Sequence, residues 1–561
     1  MNAGVDHPLA LDLAIASFGF IPYWLLGLPF TLPFVTGEDT NALRLTPAVG
    51  CAIAGLIEEW AMLAGVPRLL ATCIVLVLAA AVSLLMGWRS ARAVLRSILE
   101  FLPLYFVAVA ICCISPFPVL GVWSGDWLVY YRSGHAILTG NMPVDLLGRP
   151  PLFGAGAIPL WLVRDGLPSY QIFCAVASAG LISVMHYALG RFRPGRRHLP
   201  LLCLVAITPF ILHNSAAAWS KQLAAALLLA GFVGEVSTGW AGERKLTQFV
   251  PPVLFALSIG VHQSSLIYLP AIILMTPTRQ SGKYILRRTL MYIVLIAVVA
   301  GPYELWTISH YGIQAKVAAN PVITDRTDLN LISNTALVFV TGFVGWAPVV
   351  DLARWVRSSH PLDPAEALKQ GFWLLASWVT TMAGTLLGTL GPFLLLKPLH
   401  KGIRPSTAGI ISTSAGRVIL AISSILLLNA VLNPFWSSYG VMQTGLEPLC
   451  LIGLLVLIAE AETTGWRFRL AFCSVLLLGT VPWILLNGAV TLGLCLSEGF
   501  KARMASSSEG DYLSLIRTGL KPVGLESFPF IQIVAFSLLA MSVLIMITLR
   551  RGAALKAEKL V

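Results

Sequence analysis

Long apolar segments constrain this chain more than any other feature of its sequence. A helix of about 20 apolar residues is long enough to cross a lipid bilayer, and backbone groups in lipid must be hydrogen-bonded within the segment. The sequence therefore predicts an all-α, polytopic transmembrane bundle of about 12–15 spans, some of them broken or re-entrant. The candidate runs lie at residues 11–35, 47–65, 68–88, 98–121, 169–190, 199–217, 221–238, 249–275, 284–301, 334–353, 371–396, 417–436, 440–460, 470–496 and 528–549.

Composition supports this interpretation. Hydrophobic residues make up 57% of the chain and charged residues only 11%, and the mean hydropathy is +0.81. Soluble domains carry about 25% charged residues, and disordered chains combine low hydrophobicity with high charge, so both classes are excluded. The nine cysteines are odd in number and form no Cys-x-x-Cys pair, so neither a disulfide framework nor a zinc site is expected.

The net charge of +12 reflects topology more than an acidic partner. The basic residues occur in short clusters between apolar runs, which is typical of cytoplasmic loops, and no nucleic-acid partner is expected. Segments 122–150 and 302–333 then lie outside, and the C-terminus lies in the cytoplasm. The cytoplasmic clusters are predicted at 89–96, 191–198, 241–247, 279–288, 466–469 and 550–559.

Two segments do not fit a simple series of crossings. The run 249–275 lies between two basic clusters that both belong in the cytoplasm, so we expect two half-crossing helices that meet at Gly260-Val261-His262. The run 371–396 has a similar conflict, which stays open. The run 151–163 is too short to cross and is expected to be re-entrant or interfacial.

Three parts of the chain follow from this organisation. Residues 1–97 form N-terminal hydrophobic segments, residues 98–333 form a membrane core with the two outside loops, and residues 334–561 form C-terminal transmembrane helices. No internal repeat accompanies this division. Glu58 and Glu59 are expected to flank an interfacial turn rather than to carry a proton.

The first candidate site residue is Asp126, at the start of an outside segment that continues with Tyr130 and Arg132. A carboxylate there has the chemistry of a base toward a sugar hydroxyl, or of a ligand for a cation on a lipid pyrophosphate. An aspartate in a first helical turn also simply complements the helix dipole. Both interpretations stay open.

Lys221, Gln222 and His262 form the next candidates. A cation at a helix N-terminus opposes the dipole, so Lys221 is expected either to bind an anion such as a diphosphate or to reach toward headgroups. An ionisable residue inside an apolar run, such as His262, indicates function, although a neutral histidine bonded to a nearby carbonyl is an equally ordinary structure. Glu304, in the second outside loop, either contacts an acceptor or is solvated.

Four segments of the sequence, in this order, resemble the motifs of a known protein family. Asp126…Tyr130-Tyr131, the Pro-Leu-Phe turn at 151–153, Trp219-Ser-Lys-Gln and Gly260-Val-His-Gln-Ser-Ser-Leu-Ile together resemble the EpsG/Wzy type of polysaccharide polymerase over about residues 120–330. The first loop also resembles the GT-C glycosyltransferases, which use polyprenyl-phosphate sugars. Lys221 stands where the polymerases more often have arginine, and several runs precede the Asp126 loop, whereas GT-C enzymes usually place it after their first span.

The resemblance implies glycosyl transfer or polymerisation of polyprenyl-(di)phosphate-linked sugars on the outer face of a bacterial cytoplasmic membrane. It implies catalysis by Asp126 and His262, and partners that include the bilayer, a polyprenyl-linked saccharide and other polysaccharide assembly and export proteins. No cofactor is required because the lipid carries the leaving group, and no ligand cluster supports a divalent metal. The residues expected to contact substrate are Lys221, Gln222, Arg132, Tyr130, Arg149 and Glu304.

Two alternatives remain. A secondary transporter or flippase would share broken helices and intramembrane polar residues, but no inverted repeat is visible. A non-catalytic scaffold of an export complex would make those polar residues dispensable. ATP-driven transport and dinucleotide chemistry lose support because no Walker A or Rossmann glycine motif occurs.

Overall fold

The computed structural model describes residues 9–35, 40–87, 90–114, 126–192, 219–236, 248–275 and 282–319, together with isolated positions at 202, 206, 211, 215, 427, 428 and 431. Regular structure in these residues is entirely helical, without a strand among them, as the apolar runs predict. Nearly all of the runs predicted after residue 319 lie outside the described residues, as does the conflict at 371–396.

The described ranges contain fourteen α-helices. They are α1 (Leu9–Phe18), α2 (Ile21–Thr31), α3 (Thr46–Leu63), α4 (Arg68–Gly87), α5 (Ala91–Ile114), α6 (Asp126–Thr139), α7 (Leu152–Ala155), α8 (Ile158–Trp161), α9 (Leu167–Phe192), α10 (Lys221–Val236), α11 (Val250–Val261), α12 (Leu269–Met275), α13 (Gly282–Val299) and α14 (Gly301–Ala318), with 3-10 turns at Leu32–Phe34, Asn41–Leu45, Val144–Leu146 and Gln263–Tyr268.

Four stretches of the described residues are long and apolar enough to cross a membrane. A fifth is added if α13 and α14, which meet at a bend of 50°, count as one crossing. The segment 302–333 is predicted to be an outside loop. In the structure its first part is helical, because α14 continues to Ala318. The four stretches are Ala14–Phe34, Arg68–Met86, Ala91–Cys112 and Ser169–Arg191.

Helices α9 and α4 occupy opposite environments. The apolar stretch of α9 is completely buried, so this helix is the centre of the fold. Only 17% of the α4 stretch is buried, and Leu84 and Leu85 are 72% and 84% exposed. Because apolar surface is unfavourable in water at about 25 cal/mol per Å², the outer face of α4 is suited to contact with lipid.

Close packing of α2 against α3 positions the loop that follows α6. A Cβ atom at Gly50 would lie 1.7 Å from the Tyr23 carbonyl oxygen, so only glycine allows the two backbones to approach this closely. The Tyr23 hydroxyl then donates to the Gly156 carbonyl at 2.9 Å, between α7 and α8. Leu152–Trp161 is buried among the helices rather than lying on their surface.

The two ends of the bundle have different polar contacts. At the end that we call the basic end, Arg44 pairs with Glu100 at 2.9 Å and Asn41 donates to the Tyr187 carbonyl at 3.0 Å. At the opposite end, which we call the loop end, the Arg68 guanidinium donates to the Ile137 carbonyl of α6 at 3.1 Å.

Helices α11 and α13 run parallel, which resolves the conflict at 249–275. Arg288 bonds the Gln248 carbonyl, the Phe255 and Tyr292 rings lie 5.6 Å apart, and a Cβ at Gly260 would lie 3.6 Å from Val299. Because these contacts advance together along both helices, the chain between them returns toward the basic end. Helix α11 ends at His262, within the Gly260-Val261-His262 stretch where the sequence predicts a break, and the backbone there is extended (φ −152°, ψ 115°).

Candidate functional site

Lys221 is the first residue of α10 and is buried, with 7% of its surface exposed. Its Nζ lies 3.9 Å from the centroid of the Trp219 ring, which is a cation–π contact. The aromatic face stabilises the ammonium at a helix N-terminus, where the dipole is unfavourable for a cation. The adjacent Gln222 contacts Ser178 near the middle of α9, so α10 begins inside the bundle rather than at its outer edge.

His262 separates α11 from the 3-10 turn that follows. Its Nδ1 accepts from the Ser264 amide at 3.3 Å and lies 2.7 Å from the Ser264 hydroxyl. Two further serines complete the polar contacts of the break, because Ser258 donates to the Ala224 carbonyl at 2.8 Å and shares a hydrogen bond of 2.7 Å with Ser265. A helix can break inside a bundle only when such contacts satisfy its backbone and side chains.

Three of the predicted site residues come together at this break. The positive charges of Lys221 and Arg149 both act on the His262 imidazole. Leu152 lies between α11 and α3. A Cβ atom at Gly260 of α11 would lie 2.9 Å from the Leu152 side chain, and the Leu152 carbonyl lies against Gly55 of α3. We call Lys221, Arg149 and His262 the cation cluster.

Gln222 has a different environment from the one expected of a substrate contact. Its amide nitrogen donates to the Ile211 carbonyl and to the Ser215 hydroxyl, both at 3.2 Å, and its amide oxygen accepts from Ser178. These bonds connect α10 to α9 and to the segment before it. The described contacts of Gln222 therefore hold Lys221 in place.

The residues of α6 occupy three environments. Asp126 is the first residue of the helix, and its side chain lies outside the described part of the structure. Tyr130 is buried and packs edge-on against Phe153, with centroids 5.6 Å apart. Arg132 is half-exposed and pairs with Asp145 at 2.9 Å. No described contact brings Tyr130 or Arg132 to the cation cluster.

An aromatic cluster holds His135 of α6 at the loop end. The imidazole stacks on Trp161 with centroids 4.2 Å apart, and its Nε2 lies 3.3 Å from Asp165. Burial lowers the pKa of His135 below its usual value, while the Asp165 carboxylate acts in the opposite direction. The cluster favours the neutral imidazole and fixes α6 on the buried α7–α8 segment.

Two carboxylates of α3 were expected at an interfacial turn, and the structure buries both. Glu58 is 1% exposed and contacts the Thr72 hydroxyl of α4. Glu59 is 2% exposed and faces Glu304 and Lys316 of α14. The sequence signal that points to them is the presence of two charges in an otherwise apolar run, since burying such charges is expensive.

Glu304 lies in helix α14 beside these residues, with 42% of its side chain exposed. Its carboxylate pairs with Lys316 at 2.8 Å, and its charge acts on Glu59.

Among the described residues no group of three or more His, Cys, Asp and Glu side chains is placed to hold a metal ion.

The chain matches no protein-family model, no curated protein and no solved structure. The resemblance to polysaccharide polymerases therefore stays a prediction. The functional argument rests on the chemistry of the cation cluster and its surroundings.

Proposed function

We propose that this chain is a multi-pass membrane protein that transfers or polymerises sugars carried on polyprenyl diphosphate. The observation that supports this most directly is a lysine, Lys221, buried at the start of α10, with the charges of Lys221 and Arg149 both acting on the buried His262. Two cations and a hydrogen-bonding imidazole suit a diphosphate, whose oxygens accept charge-assisted hydrogen bonds. The polyprenyl chain would lie in apolar surroundings, between the helices or beside them.

Glycosyl transfer requires stabilisation of the leaving diphosphate and removal of a proton from the acceptor hydroxyl. In this proposal the cation cluster provides the first, with Arg132 as a further candidate from the sequence. Asp126 and His262 are the candidates from the sequence for the second. The leaving group travels on the lipid, so the reaction needs no soluble cofactor.

A bilayer location follows from the same proposal. The exposed apolar faces of α4 and α13, which include Leu84, Leu85 and Val294, suit contact with lipid tails. With the basic end toward the cytoplasm, the loop end with α6 lies on the outer face of a bacterial cytoplasmic membrane, and the C-terminus is cytoplasmic. Other proteins of polysaccharide assembly and export are the expected partners.

Binding of undecaprenyl diphosphate to the purified protein in lipid nanodiscs tests the proposal. A charge-assisted hydrogen bond contributes about 1.5–3 kcal/mol, so we expect Lys221→Ala to weaken binding by about 10- to 100-fold. Lys221→Arg keeps the charge and controls for folding. Lys283→Ala, at an exposed position of α13, is the matched control and should bind like the wild type. Equal affinities for the wild type and Lys221→Ala would contradict the proposal.

A transporter or flippase is favoured by one specific observation. Helix α10 begins, and α11 ends, within the bundle, and transporters commonly bind substrates where broken helices meet. The two functions differ in their product. A transferase forms a new glycosidic bond on the lipid-linked saccharide, whereas a flippase moves it between leaflets unchanged.

A further inference from the structure

Three charged residues lie where α3 packs against α14, and none of them belongs to the cation cluster. Glu304 and Lys316 pair at 2.8 Å although they are twelve residues apart in α14. In a straight helix that separation is about 18 Å. The break at Gly312, whose φ of 81° is readily adopted only by glycine, turns Lys316 back over Glu304.

Glu59 faces this pair from α3. Its side chain is almost fully buried and forms no hydrogen bond with any described residue, and only the charges of Glu304 and Lys316 act on it. Tyr303 of α14 lies beside the same residues, and the Lys316 Nζ is 5.1 Å from the centroid of the Tyr303 ring. A buried carboxylate without a hydrogen bond is costly unless a ligand or a proton satisfies it.

The charges of the group favour uptake of one proton. With Glu59, Glu304 and Lys316 all ionised, the group carries a net charge of −1 around the buried Glu59, while the Glu304 and Lys316 side chains are 42% and 19% exposed. One added proton makes it neutral. The neighbouring Glu58 belongs to a different set of contacts, because it faces Thr72 and Arg68 on α4.

Glu59 also lies on the face of α3 that packs against Leu152. Gly55, four residues earlier and so on the same face of the helix, touches the Leu152 carbonyl. Leu152 in turn touches Gly260, two residues before His262, and follows Arg149 by three residues. Glu59 is thus about 6 Å, one helical turn, from the Gly55–Leu152 contact, and the same leucine touches Gly260.

The cation cluster itself is poorly suited to remove a proton. A proton added to His262 would place a third positive charge beside Lys221 and Arg149, and its Nδ1 already accepts from Ser264. The group formed by Glu59, Glu304 and Lys316 has a negative net charge, so it is better suited than the cation cluster to accept a proton.

We propose that Glu59 accepts the proton of the attacking sugar hydroxyl, with Glu304 and Lys316 holding its carboxylate in position, and this inference rests on the glycosyl-transfer function proposed above. The acceptor oxygen bonds to the anomeric carbon of the donor sugar. The bond from that carbon to the diphosphate oxygen breaks, and its electron pair stays on the diphosphate at the cation cluster. The hydroxyl proton moves to Glu59, which later releases it to water.

The decisive measurement is the rate of elongation by the purified full-length protein in nanodiscs, with lipid-linked oligosaccharide extracted from the native host, as a function of pH. A general base contributes about 10²- to 10⁴-fold, so we expect Glu59→Gln to lose activity by that factor while undecaprenyl diphosphate still binds normally. The rise of the wild-type rate with pH should vanish in Glu59→Gln and return in part in Glu59→Asp. A purely structural role would not change the pH profile in this way.

Glu58→Gln is the matched control, since it makes the same change at the adjacent buried position. An amide there can still bond the Thr72 hydroxyl, so activity and pH profile should equal those of the wild type. Activity of Glu59→Gln within about threefold of the wild type, far less than the loss of a general base, would overturn the role of Glu59 alone. A wild-type protein that neither binds undecaprenyl diphosphate nor elongates the oligosaccharide would instead refute the proposed function.

Discussion

Glu235 and Arg288 form a buried ion pair between α10 and α13 at the basic end. Their side chains are 4% and 7% exposed. The Arg288 Nε donates to one carboxylate oxygen at 3.0 Å, its Nη2 donates to the other, and the Tyr292 hydroxyl also donates to the carboxylate at 3.0 Å. Replacing Glu235 with alanine removes all three interactions at once and leaves the guanidinium buried.

The expected cost is large because the remaining charge cannot reach water without moving the helix. Breaking a buried pair by removing one partner typically costs about 3–5 kcal/mol. Tyr292→Phe removes only one hydrogen bond to a charged group and should cost about 1.5–3 kcal/mol. The double variant Glu235→Leu, Arg288→Leu removes both charges and should be less destabilised than Glu235→Ala.

The free energy of unfolding in bicelles, measured by titration with dodecyl sulfate and followed by tryptophan fluorescence, checks these values. Arg287→Ala is the matched control, because Arg287 is adjacent but exposed, and its loss should change stability by less than about 0.5 kcal/mol. A cost below about 1 kcal/mol for Glu235→Ala, well under that of a broken buried pair, would refute the reasoning. A double variant less stable than the single one would refute it as well.

Two further predictions concern packing and pH. Gly50→Ala places a methyl group 1.7 Å from the Tyr23 carbonyl oxygen and should lower the free energy of unfolding by at least about 1–3 kcal/mol. Gly282→Ala is the control, because a Cβ there has nothing within 4 Å, and it should leave the thermal unfolding temperature unchanged or slightly raised. Because burial lowers the pKa of His135, its contribution to stability is complete above the usual value of 6.5 and is lost as the pH falls through the lowered pKa. Thermal unfolding at a series of pH values should show a smaller acid sensitivity for His135→Asn than for the wild type, and equal sensitivity would contradict the assignment.

Several features of the fold are predictable from the sequence because they depend on local patterns. The break at His262 follows from a polar His-Gln-Ser-Ser segment inside an apolar run that lies between two basic clusters. The short length of the helices in segment 152–161 follows from a run too short to cross a membrane, whereas the burial of that segment does not. Both patterns lie within a few residues of the feature that they predict.

The environment of single side chains is not predictable in this way. Arg288 belongs to a basic cluster that predicts a cytoplasmic loop, yet it pairs with Glu235, which is 53 residues away. Glu59 faces Glu304 and Lys316 of α14, and Gln222 bonds Ser178 of α9. In each case the partner comes from a distant helix, and only the packing of the helices decides which faces meet.

The helical character of the described chain, the positions of its apolar helices and the end of α11 at His262 follow from the sequence. These features depend on hydropathy and on the placement of charges, which are properties of short segments. The influence of Lys221 and Arg149 on His262, and the position of Glu59 opposite Glu304 and Lys316, depend on how the helices pack. The physical reason is that a buried charge needs a partner, and the partner is whichever group the packed helices bring within reach.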